Sequence, residues 1–324
     1  MRIVFVGASQ FGLFCLERIL SLPEIEVVGV ITNPRKFSIS YRPSGVVNVL
    51  HADFHPLAQQ YGIPLWVMEG KMSDPNLIEQ VRKWAPDFIL VVGWYHMVPR
   101  AIRNIAPTAG LHASLLPDYS GGAPLVWAII NGEERTGITF FVMEDGVDSG
   151  PIVGQAEEPI LFEDTIATLY ARIEKAGLRL LLDNLPKIAR QQATYTPQDE
   201  RRRRIMPQRS PEDGIIDWRW PAYRIYNFIR AQTKPYPGAF TYLGQEKVTI
   251  WKASLPDMFD KNTNPSGTIV RKYKDNAESL SICCADGRLL DIDEIGLSDD
   301  RIVRVEEFCS MRAIPSGVVC GFEA

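Results

Sequence analysis

Apolar and polar positions change rhythm along this chain. Residues 2–6 and 26–31 are short, unbroken apolar runs, and between them residues 11–20 carry a helical period. Apolar runs without alternation suit strands buried on both faces of a parallel sheet, so the chain opens as a βαβ unit. The pattern continues with a helix over 74–84, an apolar strand over 88–92, a strand just before His112, a helix over 125–131 and a strand over 136–142. Between 165 and 185, Leu169, Ile173, Ala176, Leu180 and Leu181 fall on one helical face and predict a long amphipathic helix that closes this α/β region. Beyond residue 190 the chain becomes polar and proline-bearing, as linkers do. A helix over 222–231 and five short strands follow, over 240–243, 248–252, 268–271, 279–283 and 289–295, punctuated by Gly, Asn and Asp. Five strands in so short a span predict a small open barrel. The reading is therefore an α/β domain over 1–189, a linker over 190–214 and a β-rich domain over 215–324, with no internal repeats.

Three interruptions of this pattern carry candidate chemistry. Residues 32–50 are polar and irregular, with Pro34, Pro43 and Gly45, and a loop of this length in a compact domain is either functional or mobile. Residues 93–99 follow a buried strand at its carboxyl end, where open α/β sheets bind ligands. Residues 110–154 hold His112 just past a strand, glycine- and proline-bearing turns at 117 and 120–124, and Asp148 between Gly146 and Gly150. Reading those turns as reversals places the strands that deliver His112 and Asp148 side by side, with both side chains at one sheet end, where the pair would move a proton. A loop around Gly146 and Gly150 is free to adopt backbone angles closed to bulkier residues.

Other signals are weaker. In Gly7-Ala8-Ser9-Gln10-Phe11-Gly12 a dinucleotide loop would need glycine where Ser9 stands, and a phosphate loop would need Lys-Ser/Thr where Leu13 and Phe14 stand. His51 and His55 share helical spacing but lack the glutamate and third ligand of a metal site, so they read as surface or capping residues. Arg201 to Arg204 reads first as a solvated stretch, or else, with Arg209, as a contact for substrate phosphates.

Composition narrows the class. An apolar fraction of 46% with 23% charged residues is that of an ordinary globular chain. The apolar start is too short for a signal peptide and no run reaches a membrane span, so the expectation is a cytoplasmic protein with no membrane partner. Five cysteines without a CxxC spacing fit reduced thiols, and no metal is expected. A net charge of −4 argues against a large polyanionic partner such as nucleic acid, while leaving room for a local basic patch. No oligomeric state is implied.

The motifs themselves resemble a known family. GLHASLLPDYSGGAPLVWAIINGE from Gly110, Thr136-Gly137-Ile138-Thr139, and Met143-Glu144-Asp145-Gly146-Val147-Asp148-Ser149-Gly150 are similar to the catalytic core of the 10-formyltetrahydrofolate-dependent formyltransferases, among them methionyl-tRNA, glycinamide ribonucleotide and sugar N-formyltransferases. The likeness continues through 207–218, which resembles the connector of the sugar and tRNA enzymes, and through PYPGAF and IWKA, so that it covers roughly 1–255. It implies a Rossmann-like formyltransferase domain followed by an OB-like domain, with 10-formyltetrahydrofolate as formyl-donor cosubstrate.

Carried over residue by residue, the family's Asn–His–Asp trio falls on Gly110, His112 and Asp148. The asparagine, which with the histidine stabilises the developing oxyanion, is missing. A water beside Gly110 or a nearby side chain would have to replace it. The resemblance gives Tyr95, His96 and Val98 one wall of the pterin slot and Met143, Glu144, Asp145 and Val147 the other. It makes Ser9, Gln10 and Arg209 acceptor-side candidates. In the tRNA-formylating branch, a basic insertion near 32–50 reaches the nucleic acid. With only Arg35, Lys36 and Arg42 there, a lid over a small substrate is the better reading. The implied activity is formyl transfer to a primary amine on a small molecule such as a nucleotide-linked amino sugar. Methionyl-tRNA is the alternative acceptor, and folate binding or 10-formyltetrahydrofolate hydrolysis the alternative activity.

Overall fold

The computed structural model describes residues 1–39, 42–256, 262–274, 277–297, 299, 301–311, 314 and 317–321. Two compact units emerge: Met1–Pro124 with Thr136–Pro159 and Ala171–Met206, and Leu125–Arg135 with Ile160–Tyr170 and Pro207–Ala324.

The first unit is built on a seven-stranded sheet in the order Ile152–Pro159, Arg135–Val142, Thr108–His112, Phe88–Val91, Arg2–Val6, Glu26–Thr32, Leu65–Val67. The last five run parallel, and Arg135–Val142 runs antiparallel to Thr108–His112. Successive residues of the central strands enter opposite cores, which is why their sequences show no polar alternation. Ile3, Phe5 and Leu90 pack with Leu16, Ile19, Phe54 and Leu185 on one face, while Val4, Val6 and Ile89 pack with Leu77, Val81 and Ile102 on the other. Two helices start where the sequence supplies a cap: Ser9 Oγ accepts from Gly12 N before Gln10–Ile19, and Asp74 Oδ1 accepts from Asn76 N before Pro75–Trp84. This is the α/β arrangement the apolar runs predicted, and the Rossmann-like one the resemblance implied.

One expectation is corrected. Within 32–50, Lys36–Ile39 pairs antiparallel with Arg42–Val47, so the segment is not irregular throughout. Phe37 lies opposite Val46 and Lys36 opposite Val47. The strands are only a few residues long, and Pro43 and Gly45 inside the second dilute its apolar signal.

The second unit carries a six-stranded antiparallel sheet in the order Ala239–Leu243, Glu246–Ser254, Leu289–Gly296, Ala277–Cys283, Ile269–Lys274, with Ile302–Arg304 also on Leu289–Gly296. Here polar and apolar residues alternate, and Val248, Ile250, Leu280, Ile282, Leu290 and Ile292 form the buried side. Ile302–Arg304 and the helix Val305–Met311 went unread in the sequence, because each is too short for its period to show.

Candidate active site

His112 ends its strand opposite Thr139, and Ala109 lies opposite Val142. The two delivering strands are neighbours, as expected, but antiparallel register sends the chain after Val142 off beside the start of the histidine strand. The aspartate loop must therefore fold back. It does so: Asp148 Oδ2 lies 3.5 Å from His112 Nδ1, with the side chains 11% and 23% exposed.

The other ring nitrogen decides the proton's position. His112 Nε2 is 2.8 Å from the Tyr119 carbonyl, which can only accept, so Nε2 carries the hydrogen. Nδ1 of the neutral ring is then a lone pair facing a carboxylate. A proton placed there would meet Asp148 in a charge-assisted contact, an arrangement suited to proton transfer.

The turn that brings Tyr119 into place is held from below. Thr139 Oγ1 donates to Ser114 O and accepts from Leu116 N and Gln155 Nε2, while Ser114 Oγ donates to Asp118 O and Ser120 Oγ to Pro117 O. Ser120–Gly121 pairs in parallel with Ile205–Met206, which brings the Met206 carbonyl within 2.6 Å of where a Gly121 side chain would begin. With φ at +92° as well, that position requires glycine. Gly121 N in turn donates to Asp148 Oδ2 at 2.8 Å.

Asp148 itself has φ +49°, a left-handed conformation uncommon outside glycine. Its loop is held through main-chain oxygens. Arg203 Nη1 donates to Val147 O at 2.9 Å and to Ser120 Oγ at 2.8 Å, and Gln198 Nε2 donates to Asp148 O and Gly150 O at 2.8 and 2.7 Å. Hydrogen bonding to Glu200 keeps the Arg203 guanidinium protonated even more firmly than usual. Arg204 grips both oxygens of Asp118 and lies over the Tyr119 ring. The two later arginines of the run at 201–204 thus serve the turn and the loop. Arg201 pairs with Asp199 at the surface.

Gly110 has no free space beside it. A side chain there would begin 2.6 Å from the Met143 methyl and 2.7 Å from the Val91 carbonyl. The water imagined next to Gly110 therefore has no room at that point, because Met143 closes it.

The remaining candidates fall into three groups. Tyr95 and His96 meet residues 33–48: Tyr95 Oη donates to Asn48 Oδ1, His96 Nε2 is 3.2 Å from Asn33 Nδ2, and both rings contact Phe37. Burial holds the His96 imidazole below its ordinary pKa. Val98 is buried, while Met97 beside it is 71% exposed. Arg103, unread in the sequence, links the two expected walls by donating to Val98 O and pairing with Asp145, which lowers the Asp145 pKa. Met143 packs against the core face of Val4, Val6 and Ile89, Val147 is exposed, and Glu144 reaches toward Gly150. Ser9 is spent on its helix cap; Gln10 is exposed, its amide bonded to Leu50 O. Arg209 belongs to the second unit, where it donates to Gln232 and the Asp213 carbonyl over the Trp127 ring.

Residues 1–185 match the family model described as formyl transferase, and residues 209–312 match formyl transferase, C-terminal domain. HypX from Aquifex aeolicus, solved with tetrahydrofolic acid, is 17% identical with a TM-score of 0.60, over 95% of this chain and 47% of HypX, so the chain spans about half that protein's length. An N-formyltransferase from Helicobacter canadensis, solved with folinic acid and dTDP-3-aminofucose, is 18% identical with a TM-score of 0.62, over 90% of this chain and 98% of that one. Methionyl-tRNA formyltransferase from Clostridium thermocellum is 17% identical with a TM-score of 0.54, over 79% and 94%. At these identities the likeness is one of fold.

Proposed function

We propose, because this chain belongs to the formyl transferase family, that it transfers the formyl group of 10-formyltetrahydrofolate to a primary amine on a small molecule, a nucleotide-linked amino sugar being the favoured class. The observation that carries this reading is the His112–Asp148 pair with its Nε2 hydrogen committed to Tyr119 O.

In this reading the cosubstrate supplies an activated formyl carbon. Tyr95, His96 and Val98 would hold it on one side and Met143, Glu144, Asp145 and Val147 on the other. The residues suit such a partner: Met97 and Val147 present exposed apolar side chains on the two segments that Arg103 joins. Beside His96, buried Asn33 Oδ1 has no hydrogen-bond partner among the described residues and can accept one from a ligand. As the amine nitrogen bonds the formyl carbon, His112 would take the amine's proton at Nδ1, and as the formyl C–N10 bond breaks that proton would pass to N10, so that tetrahydrofolate leaves. Asp148 stabilises the imidazolium so formed and, being fixed by Gly121 N, keeps its carboxylate aimed at that nitrogen.

The acceptor class rests on charge. Arg203, Arg204 and Arg209 are all spent within their own units, and a net charge of −4 leaves little general attraction for a long polyanion. The dTDP-amino sugar held by the Helicobacter canadensis relative supports the same choice. Methionyl-tRNA stays the alternative acceptor, and salt separates them: its binding would fall steeply with ionic strength.

A second reading follows from Gly110. Without the asparagine, the site lacks one oxyanion donor, a loss of about 2.7–4 kcal/mol where such donors have been removed. Met143 fills that point with a methyl group, which donates nothing. Folate binding or hydrolysis of the formyl donor would then replace efficient transfer. The deciding experiment follows the absorbance of 10-formyltetrahydrofolate against nucleotide-linked amino sugars, methionyl-tRNA and an amine-free control. Amine-dependent turnover supports transfer and names the acceptor; formate release without amine, or folate binding with no turnover, supports the second reading.

A further inference from the structure

We propose that Arg203, acting with Gln198, is a positioning residue for Asp148 that links the histidine's turn to the aspartate's loop. This rests on the reading of His112 and Asp148 as the proton-handling pair, and it applies whether the formyl group goes to an amine or to water.

Beyond the Arg103–Asp145 pair and the bond from Gly121 N to Asp148 Oδ2, the side chains around the aspartate do little to hold the loop. Gly146 and Gly150 flank the aspartate without side chains, Val147 is exposed, and Asp148 sits in a left-handed conformation that L residues keep only when their surroundings impose it. The surroundings here are a short relay. Glu200 accepts two hydrogen bonds from Arg203 and fixes the plane of its guanidinium. Arg203 Nη1 then reaches Ser120 Oγ on one side and Val147 O on the other. Its Nη2 donates to Gln198 Oε1 at 3.3 Å, which turns the Gln198 amide nitrogen toward Asp148 O and Gly150 O. Ser120 stands between Tyr119, whose carbonyl holds His112 Nε2, and Gly121, whose amide holds Asp148 Oδ2. One guanidinium therefore sets both partners of the pair.

The same contacts argue against a phosphate role for Arg203. Its side chain is 11% exposed, and Nε, Nη1 and Nη2 are all committed, so no two-pronged edge remains for an anion. Lysine would keep the charge but hold fewer of these acceptors at once.

The test compares wild type with Arg203→Met, Arg203→Lys, Asp148→Ala and the Arg203→Met/Asp148→Ala double variant, with thermal melts and tetrahydrofolate binding by fluorescence alongside. Arg203→Met is expected to lower kcat by about 10- to 100-fold, the loss that misplacement of a reacting group by about 1 Å brings, with KM for the formyl donor changed by less than about 3-fold. Arg203→Lys should lie between, and serves as the measured variant if Arg203→Met does not fold. In the Asp148→Ala background the Arg203 substitution should cost nothing further, because the group it positions is gone. Unchanged kcat, a loss confined to KM, or an undiminished loss on top of Asp148→Ala would each overturn the proposal. If the wild type itself neither transfers nor hydrolyses the formyl group, the functional reading fails and takes this inference with it. If wild type turns over and Arg203→Met matches it, only the inference fails.

Discussion

Left-handed backbone is distributed differently in the two units. In the first, Ala85, Tyr119, Ala123, Asp148 and Gln191 adopt positive φ although they carry side chains, and two of these five, Tyr119 and Asp148, contact His112. In the second unit, the described residues with positive φ are glycines, such as Gly238, Gly244, Gly267 and Gly287, for which that geometry carries no steric penalty. The arginines differ in the same sense. Arg103 and Arg203 of the first unit hold the loops at Val98 and Val147 by their carbonyls, whereas Arg230 of the second is buried against Asn227 and the carbonyls of Leu161 and Asp164. Two of the strained residues thus meet at the His112–Asp148 pair proposed to handle the proton, whereas the turns of the second unit's sheet fall to glycine.

The largest effect that would break this contrast is chemical. His112→Ala should lower turnover of 10-formyltetrahydrofolate by about 100- to 10,000-fold, the range for loss of a positioned base, with Asp148→Ala next. Absorbance-monitored turnover at wild-type rate in both variants would remove the site from the His112–Asp148 pair.

A smaller contrast concerns two glycines. Gly110→Ala meets the Met143 methyl and the Val91 carbonyl, and overpacking of that kind destabilises by about 1–3 kcal/mol. Gly244→Ala has open space around it and bears only its left-handed φ of +61°, a penalty of about 1 kcal/mol. Urea unfolding of both variants checks the order. If Gly110→Ala is the milder of the two, the seal at that strand is slack and an asparagine there is tolerable.

The smallest effect is in pH. Burial lowers the folded pKa of His96 below its ordinary value of 6.5, so as pH falls through that value the unfolded chain takes up a proton that the folded one resists. The stability that the neutral form permits is complete above about pH 7 and declines as pH drops toward 5. Wild type should therefore lose more melting temperature over that interval than His96→Asn. Equal losses would show that His96 meets no greater burial when folded.

How legible all this was depends on range. His112 and Asp148 stood out by their place after a strand and between glycines, and the likeness to formyltransferases named them. Their contact needed the loop after Val142 to fold back across an antiparallel register, which the reading of coincident strand ends did not contain. Arg203 looked like one of four equivalent charges, because nothing local distinguishes the guanidinium that turns inward from those that stay in water. The paired strands within 32–50 were hidden by their shortness.

The sequence by itself determined the elements and their class. Unbroken apolar runs require burial on two faces, alternating ones burial on one, and caps, prolines and glycines mark where helices begin and turns close; each is a property of residues within a few positions of one another. Only the tertiary structure decided which nitrogen of His112 holds its hydrogen, that Met143 closes the space beside Gly110, and that Arg203 holds the Asp148 loop. Those outcomes depend on carbonyls and side chains brought together from Val91, Tyr119, Val147 and Gln198, and no local pattern records an approach set by packing across such separations.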